Sequence, residues 1–127
     1  MRVIQTKEFK KWSKSEKLSN QNLAKAISEI ENGLIDANLG GGLIKKRVAI
    51  GSSGKSGGAR TIIAYKKRIK AFFLHGFKKN EISNIDDSEL KVLRRFGEVL
   101  MSRSNTDINL SIKINQLYEV EYEKERK

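Results

Sequence analysis

The side chains best suited to chemistry are basic and lie close together in the middle of the chain. Residues 37–80 contain eleven Lys and Arg and no Asp or Glu, whereas the rest of the 127 residues contains fifteen of each sign. The formal net charge of +11 therefore comes from this window. A solvated face that only maintains solubility would mix both signs. A field of one sign instead favours a negative partner, and nucleic-acid phosphates are the one that we expect.

The spacing of these charges predicts one shared surface. Residues i and i+2 of a strand share a face, so Lys45 and Arg47 point one way and Lys46 the other. Antiparallel pairing with the next apolar runs would bring further basic residues to one concave surface. The candidates for catalysis are Lys45, Arg47, Lys55, Arg60, His75 and Lys79. The candidates for RNA contact are Lys46, Lys66, Arg68, Phe77 and Lys78.

Such a surface has the groups that RNA cleavage at the 2′-hydroxyl requires. This reaction needs a base for the hydroxyl, positive charge near the phosphorane oxygens and an acid for the leaving oxygen. Lys and Arg stabilise the developing charge, and a Lys among cations can also move protons. His75 is the single side chain that exchanges protons near neutral pH unaided. A lone His beside Phe73 and Phe77 is, however, more often a packed residue.

A phosphate-loop motif is present but lacks its usual surroundings. Residues 49–56, AIGSSGKS, resemble a P-loop with Ala at the first glycine position. A P-loop opens a helix, whereas Gly57 and Gly58 are followed by a β-branched run. No acid for Mg²⁺ occurs between Asp36 and Glu81. Nucleotide hydrolysis is therefore disfavoured, and the loop with Lys55 is better suited to the phosphate of a polymer.

Composition excludes several classes of site. The chain has no Cys and one His, which excludes disulfides and disfavours a zinc site. We expect neither a metal nor a cofactor. No apolar run approaches the roughly 20 residues of a membrane span, and the N-terminus lacks the apolar region of a signal peptide. The expectation is a cytoplasmic protein with no membrane partner.

The pattern of short elements predicts a single α+β domain over residues 1–127, with a frayed tail from about 120. Residues 3–6 form a short strand or an extended lead-in. Two helices follow as an N-terminal hairpin: one capped by Thr6, and one that starts at Ser19 or Asn20 and ends at Asn32-Gly33. The apolar runs 43–50, 61–65 and 71–74 predict an antiparallel meander of three strands, with a turn at 66–68.

The C-terminal third predicts a helix and then a possible strand. Asp86 and Asp87 begin a helix. Its predicted apolar stripe is Leu90, Leu93, Phe96, Val99 and Leu100. Residues 108–120 are interpreted as a last strand plus a tail.

An ordered set of motifs is similar to the HigB-like branch of the RelE/ParE toxin superfamily. The motifs are GLIKKRVA at 42–49, GKSGGARTII at 54–63 and FFLHGFKKNE at 72–81. The resemblance covers residues 1 to 120, and the Gly-Lys-Ser-Gly-Gly-x-Arg segment between two strands is its most specific part.

The resemblance implies a RelE-like fold and a toxin of a type II toxin–antitoxin pair. RelE-like members cut mRNA, usually in the ribosomal A site, without a metal, and so inhibit translation and arrest growth. The antitoxin of HigB-type pairs is usually a HigA-like protein with a helix-turn-helix domain. It covers or distorts the toxin's active site, and the complex represses its own operon. The toxin would thus meet operator DNA only through the antitoxin.

The carry-over of site residues is partial. Lys45 and Arg47 match basic residues of the family's first meander strand, and Arg60 matches an Arg after the glycine loop. The family's Arg after the third strand is replaced, so Lys78 or Lys79 must supply the charge. RelE also stacks a base on a Tyr shortly afterwards. This chain has no aromatic residue between 77 and 96, and His75 or Phe77 would have to compensate.

Two other functions remain open at the level of sequence. The ParE branch shares the fold, lacks the nuclease residues and poisons DNA gyrase by binding it. A non-catalytic nucleic-acid-binding module would also carry a basic window, and its affinity would fall steeply with salt.

Overall fold

The structure is a computed structural model that describes residues 1–50, 58–78 and 85–122. It is a mixed α+β fold of one six-stranded sheet and four helices over these residues. In chain order the elements are β1 (Arg2–Thr6), α1 (Lys7–Ser15), α2 (Asn20–Glu31), β2 (Ala37–Gly40), β3 (Leu43–Val48), β4 (Ala59–Lys66), β5 (Lys70–Lys78), α3 (Asp87–Met101), α4 (Asn105–Lys113) and β6 (Leu117–Val120).

The predicted meander forms the middle of a larger sheet. Strand order is β2-β3-β4-β5-β1-β6, and β3, β4 and β5 pair antiparallel as expected. Strand β2 adds to the edge of the meander, and no pattern in residues 37–40 predicted it. On the other side β1 runs parallel to β5, and β6 then pairs antiparallel with β1.

The expected opening on a helical hairpin is wrong, because the chain begins with strand β1. Val3 and Ile4 are 1% and 0% exposed, since β1 lies between β5 and β6 with helices over both faces. Four of its five residues, Val3 to Thr6, are buried and show no alternation, so the sequence left a strand and an extended lead-in equally open. Helices α1 and α2 follow this strand rather than start the domain.

Local signals set the ends of the first two helices. The Thr6 side chain accepts a hydrogen bond of 3.2 Å from the Phe9 amide, and Ser19 forms a capping box with Asn22. Helix α2 ends at Glu31, where Gly33 takes a φ of +86° and the chain turns away. These caps and stops agree with the sequence-based predictions.

Two apolar layers enclose the sheet. On one side, which we call the α1/α2 face, Phe9, Leu23 and Ile27 pack on strand residues that include Ile63 and Phe73. On the other, the α3/α4 face, a second cluster contains Ile4, Ile62, Phe72, Leu100 and Ile108. Successive strand residues, such as Ile62 and Ile63, therefore point into opposite layers.

The segment predicted as a long final strand instead holds a helix and a short strand. Ser104 caps α4 by accepting a hydrogen bond from the Asp107 amide, and the helix ends at Lys113. Asn115, with a φ of +60°, reverses the chain into β6. The cap explains why an Ile-rich segment is helical here. Tyr122 still packs on the α1/α2 core, and the last five residues of the expected frayed tail lie outside the described residues.

Among the helices of the described ranges, none has the length and apolar character needed to cross a membrane.

Candidate nucleic-acid interface

Strand register places four basic side chains on one face of the sheet. Opposite residues of an antiparallel pair share a face. Two cross-strand rows result, Lys45–Ile62–His75 and Arg47–Arg60–Phe77. Because Ile62 and Phe77 belong to the core cluster of the α3/α4 face, the whole set lies on that face. We call Lys45, Arg47, Arg60 and His75 the basic face.

A β-bulge in β5 is what brings His75 to this surface. The register between β4 and β5 shifts at this point, so that Ile63 pairs with Phe73 and Ile62 with His75. Leu74 is the extra residue between them. With strict alternation along β5, His75 would lie on the same side as Phe73, which is the α1/α2 face. His75 lies beside Phe77 on this face, with ring centroids 6.0 Å apart.

Arg60 has the least satisfied side chain of the site. The residue is partly exposed, yet its Nη1 is buried and has no hydrogen-bond partner among the residues that the structure describes. A buried guanidinium nitrogen without an acceptor is costly, and Arg binds phosphate through paired N–H groups. An incoming phosphate oxygen would supply the missing acceptor.

Arg47 is held in place by an acid that sequence analysis did not select. Its backbone N–H donates to one carboxylate oxygen of Asp36, and its Nε lies 3.7 Å from the other. The side chains of Arg47 and Asp36 remain 47% and 32% exposed. An ion pair this exposed contributes little, so the guanidinium can exchange Asp36 for a phosphate. The signal for Asp36 was its position as the last acid before the basic window.

Lys46 faces the opposite way and is buried. It is 2% exposed, its Nζ lies 2.8 Å from a Glu29 carboxylate oxygen, and it donates to the Leu34 carbonyl at 2.9 Å. Thr61 Oγ1 in turn donates to the Lys46 carbonyl. This arrangement contradicts the prediction that Lys46 contacts RNA. The side chain ties α2 to the sheet.

Phe77 and Lys78, the two predicted RNA contacts on β5, are not among the four basic-face residues, and the Lys78 side chain is 57% exposed. Phe77 is 4% exposed, so its ring fills the core and offers no platform for a base. Lys78 pairs with Ala59 of the α1/α2 layer, and its Nζ lies 3.4 Å from Glu16 of α1. Neither side chain belongs to the basic face.

Lys66 and Arg68 lie at the far end of the β4–β5 hairpin. Lys66 closes the hairpin opposite Lys70, six residues along β4 from Arg60, a separation of about 20 Å. The Arg68 amide donates to Glu31, which also accepts from the Tyr65 hydroxyl. Burial, and then the contact with Glu31, raise the pKa of Tyr65, so this hydroxyl stays protonated. The turn is an anchor for α2, remote from the basic face.

Two predicted catalytic residues fall outside the described ranges. These are Lys55, on the glycine-rich loop, and Lys79, after β5. The chain enters β4 at Ala59, directly after Gly58, where a P-loop would require a helix. This strand agrees with the argument against nucleotide hydrolysis.

Gly76 leaves room for the Trp12 ring to pack against the strand beside His75. A Cβ on Gly76 would lie 2.3 Å from Cζ3 and 2.4 Å from Cε3 of Trp12, so the indole packs directly on the backbone beside His75. A glycine inside a strand often marks such a close approach. Trp12 thus holds the bulged segment of β5 from the opposite face.

Comparison with known proteins identifies one family. The model of the RelE toxin of the RelE/RelB toxin–antitoxin system matches residues 1–120, which span every strand and helix described above. No curated protein sequence gives a significant match.

Proposed function

Because the chain belongs to the RelE toxin family, we propose that it is an endoribonuclease that cleaves mRNA on the ribosome. The observation that carries this proposal is the buried, unpartnered Nη1 of Arg60 on the same face as Lys45, Arg47 and His75. These are the groups needed to hold a phosphodiester and move its protons. The reaction would need no metal ion, since the guanidinium and ammonium groups supply the positive charge.

The proposed reaction uses the RNA's own 2′-hydroxyl. A base on the protein takes the hydroxyl proton, and the 2′-oxygen forms a bond to phosphorus. The bond from phosphorus to the 5′-oxygen breaks, and an acid protonates that oxygen. The products are a 2′,3′-cyclic phosphate and a 5′-hydroxyl end. Arg60 and Arg47 would stabilise the phosphorane oxygens.

His75 and Lys45 are the candidates for proton transfer. They lie on the same cross-strand row, one on each side of the buried Ile62, and both side chains are partly exposed. Imidazole exchanges protons readily near neutral pH. We propose His75 as the acid or base and Lys45 as its counterpart or as a phosphate contact. Lys55 and Lys79 remain candidates as further phosphate contacts.

Family membership implies an antitoxin as the protein partner. We propose further that the pair is of the HigB type, with a HigA-like helix-turn-helix antitoxin. The support for this branch is the sequence motif around Gly54-Lys55-Ser56 and Arg60.

The test compares Arg60→Ala with Arg68→Gln, a matched Arg substitution at the far end of the same hairpin. Each variant is induced in cells, growth is followed, and mRNA 5′ ends are mapped. We expect wild type and Arg68→Gln to arrest growth with new cleavages in translated messages. Arg60→Ala should permit growth while retaining a native circular dichroism spectrum. Loss of one transition-state contact corresponds to roughly a 10²–10³-fold lower cleavage rate on purified ribosomes.

The same experiment separates the other functions. Growth arrest with a DNA-damage response and intact mRNA would transfer the target to gyrase, as in the ParE branch. Wild-type protein that neither arrests growth nor cleaves mRNA on ribosomes would refute the proposal and leave a binding module. The fall of its RNA affinity with rising salt would then measure how many phosphates that module contacts.

A further inference from the structure

Helix α3 carries two apolar stripes, and only one of them faces the core. Leu93, Gly97 and Leu100 face inward, and a Cβ on Gly97 would lie 3.1 Å from that of Ala64. Val92, Phe96 and Val99, spaced i, i+4, i+7, form the second stripe and are 68%, 41% and 39% exposed. The predicted single stripe, which included Phe96 and Val99, is therefore divided between core and surface. A surface helix with a second stripe favours a partner that covers it.

The exposed stripe borders two open grooves that share Phe96. One groove, of about 830 Å³, is lined by α3 residues that include Val92. The other, of about 500 Å³, lies between α3, α4 and the start of α1, and Ile114 contributes to it with an exposure of 64%. We call Val92, Phe96, Val99 and Ile114 the outer apolar surface. Along α3 it extends from Val92 to Val99, about 10 Å or two helical turns.

The rim of this surface is mainly positive. Lys91, Arg94 and Arg95 line the first groove, and Glu98 is the one acid among its described lining residues. In the second groove Lys7 and Arg103 accompany the single acid Glu8. A complementary partner would therefore place acidic side chains around an apolar stripe.

A second copy of this chain is a poor occupant. A two-fold interface brings the same patch of both copies together. The Lys and Arg residues of the rim would then face one another.

We propose that the outer apolar surface is where the antitoxin docks, through an amphipathic helix with acidic residues beside its apolar stripe. The proposal rests on the membership of this chain in a toxin–antitoxin family. The outer apolar surface shares no residue with the basic face, so antitoxin binding and RNA cleavage should be separable by mutation. A chain altered at this surface would remain toxic and escape its antitoxin.

The experiment measures antitoxin affinity in an Arg60→Ala background, which avoids dependence on nuclease activity. The probe is the antitoxin protein encoded in the same operon, purified and titrated calorimetrically. We expect Val92→Gln/Phe96→Gln to bind at least about 30-fold more weakly, as for loss of an aromatic anchor. Ile69→Gln, at an equally apolar and 47% exposed position on the β4–β5 turn, is the matched control and should bind normally.

Charge and fold are tested in parallel. Lys91→Glu/Arg95→Glu should also weaken binding, and more so at low salt, whereas Lys14→Glu on α1 should not. Circular dichroism checks folding, and Val92→Gln alone replaces the double variant if Phe96→Gln proves unstable. With an active toxin, co-expressed antitoxin should rescue growth for wild type and Ile69→Gln but not for the surface variant.

Three outcomes would overturn the docking proposal. The first is wild-type affinity for the folded surface variants. The second is an antitoxin that does not bind the Arg60→Ala chain at all. The third is a wild-type dimer in light scattering that the surface variant lacks, which would assign the surface to a second copy. None of these results bears on ribosomal cleavage, which the Arg60→Ala growth assay tests separately.

Discussion

Replacing Lys46 by Met should damage the fold and leave the basic face chemically unchanged. Met keeps the length of the side chain and removes the ammonium group that lies 2.8 Å from Glu29 and 2.9 Å from the Leu34 carbonyl. The neighbouring Lys45 is the natural control. It has the same residue type, one position away, but lies on the basic face.

The expected loss follows from the burial of the pair. The side chains of Lys46 and Glu29 are 3% and 20% exposed. At an effective dielectric constant of about 20, their attraction at this distance is about 6 kcal/mol, offset in part by the cost of desolvating both groups. Removing one member of such a pair costs about 3–5 kcal/mol. Since Glu29 retains some access to water, we expect about 3 kcal/mol, or a Tm lower by about 10 °C.

The assay combines unfolding with RNA binding. Urea and thermal unfolding give the free energy of unfolding for wild type, Lys46→Met, Lys45→Met and the double variant Lys46→Met/Glu29→Gln. The double variant should recover most of the loss, because it removes both charges together. Lys45→Met should unfold within about 0.5 kcal/mol of wild type and bind RNA more weakly. Lys46→Met should bind RNA like wild type at temperatures where it is folded.

One result would refute the assignment of Lys46 to the core. If Lys46→Met unfolds at the wild-type midpoint and weakens RNA binding as much as Lys45→Met does, the Lys46 ammonium group faces the RNA. The register of β3 would then be shifted by one residue, which exchanges the two faces of the strand.

Three further perturbations test other parts of the structure. Asp36→Asn removes the carboxylate charge beside the Arg47 guanidinium, for which a phosphate would have to compete. RNA affinity should therefore rise about two- to three-fold in a filter-binding assay. Weaker binding of RNA by this variant would contradict the reasoning. Gly76→Ala inserts a methyl group 2.3 Å from the Trp12 ring and should lower the free energy of unfolding in urea by about 1–3 kcal/mol. Adding Trp12→Leu should restore part of this free energy. An unchanged unfolding midpoint for Gly76→Ala would refute the close packing. Hydrogen bonds, first from the Ser88 side chain, hold the pKa of Asp86 below its usual 3.8. The Asp86 carboxylate therefore stabilises α3 fully above pH 3.8, and this stabilisation is lost as the pH falls through the lowered pKa. An Asp86→Asn variant should lose less stability than wild type on acid titration, and parallel stability curves would argue against the cap.

Much of the secondary structure could be predicted because its signals are local. Thr6 and Ser19 cap helices through their own side chains, and Gly33 ends α2 through its backbone freedom. The meander was visible as short apolar runs between glycines and charges. By contrast, β1 has only five residues and β2 and β6 only four, too few to show a period. The strands that β1 pairs with, β5 and β6, also lie far along the chain, as does the partner of β6.

The candidate site shows the same division between features set by local sequence and features set by long-range packing. Alternation along β3 correctly separated Lys45 and Arg47 from Lys46, but it could not say which face is buried by α2. Only the packing of Glu29 against Lys46 decides that. The charge of a residue also says nothing about its position along a hairpin, so the sequence could not show that Lys66 lies at the far end of the hairpin from Arg60.

The sequence by itself determined the charge field, the meander and the set of candidate basic residues, because these depend on composition and near neighbours. The tertiary structure alone decided which of them meet. The β-bulge at Leu74 turns His75 to the face of Arg60, and Trp12 packs on Gly76 behind it. Both depend on contacts between residues distant in the chain, and a one-residue shift in register has no signature in the pattern of a single strand.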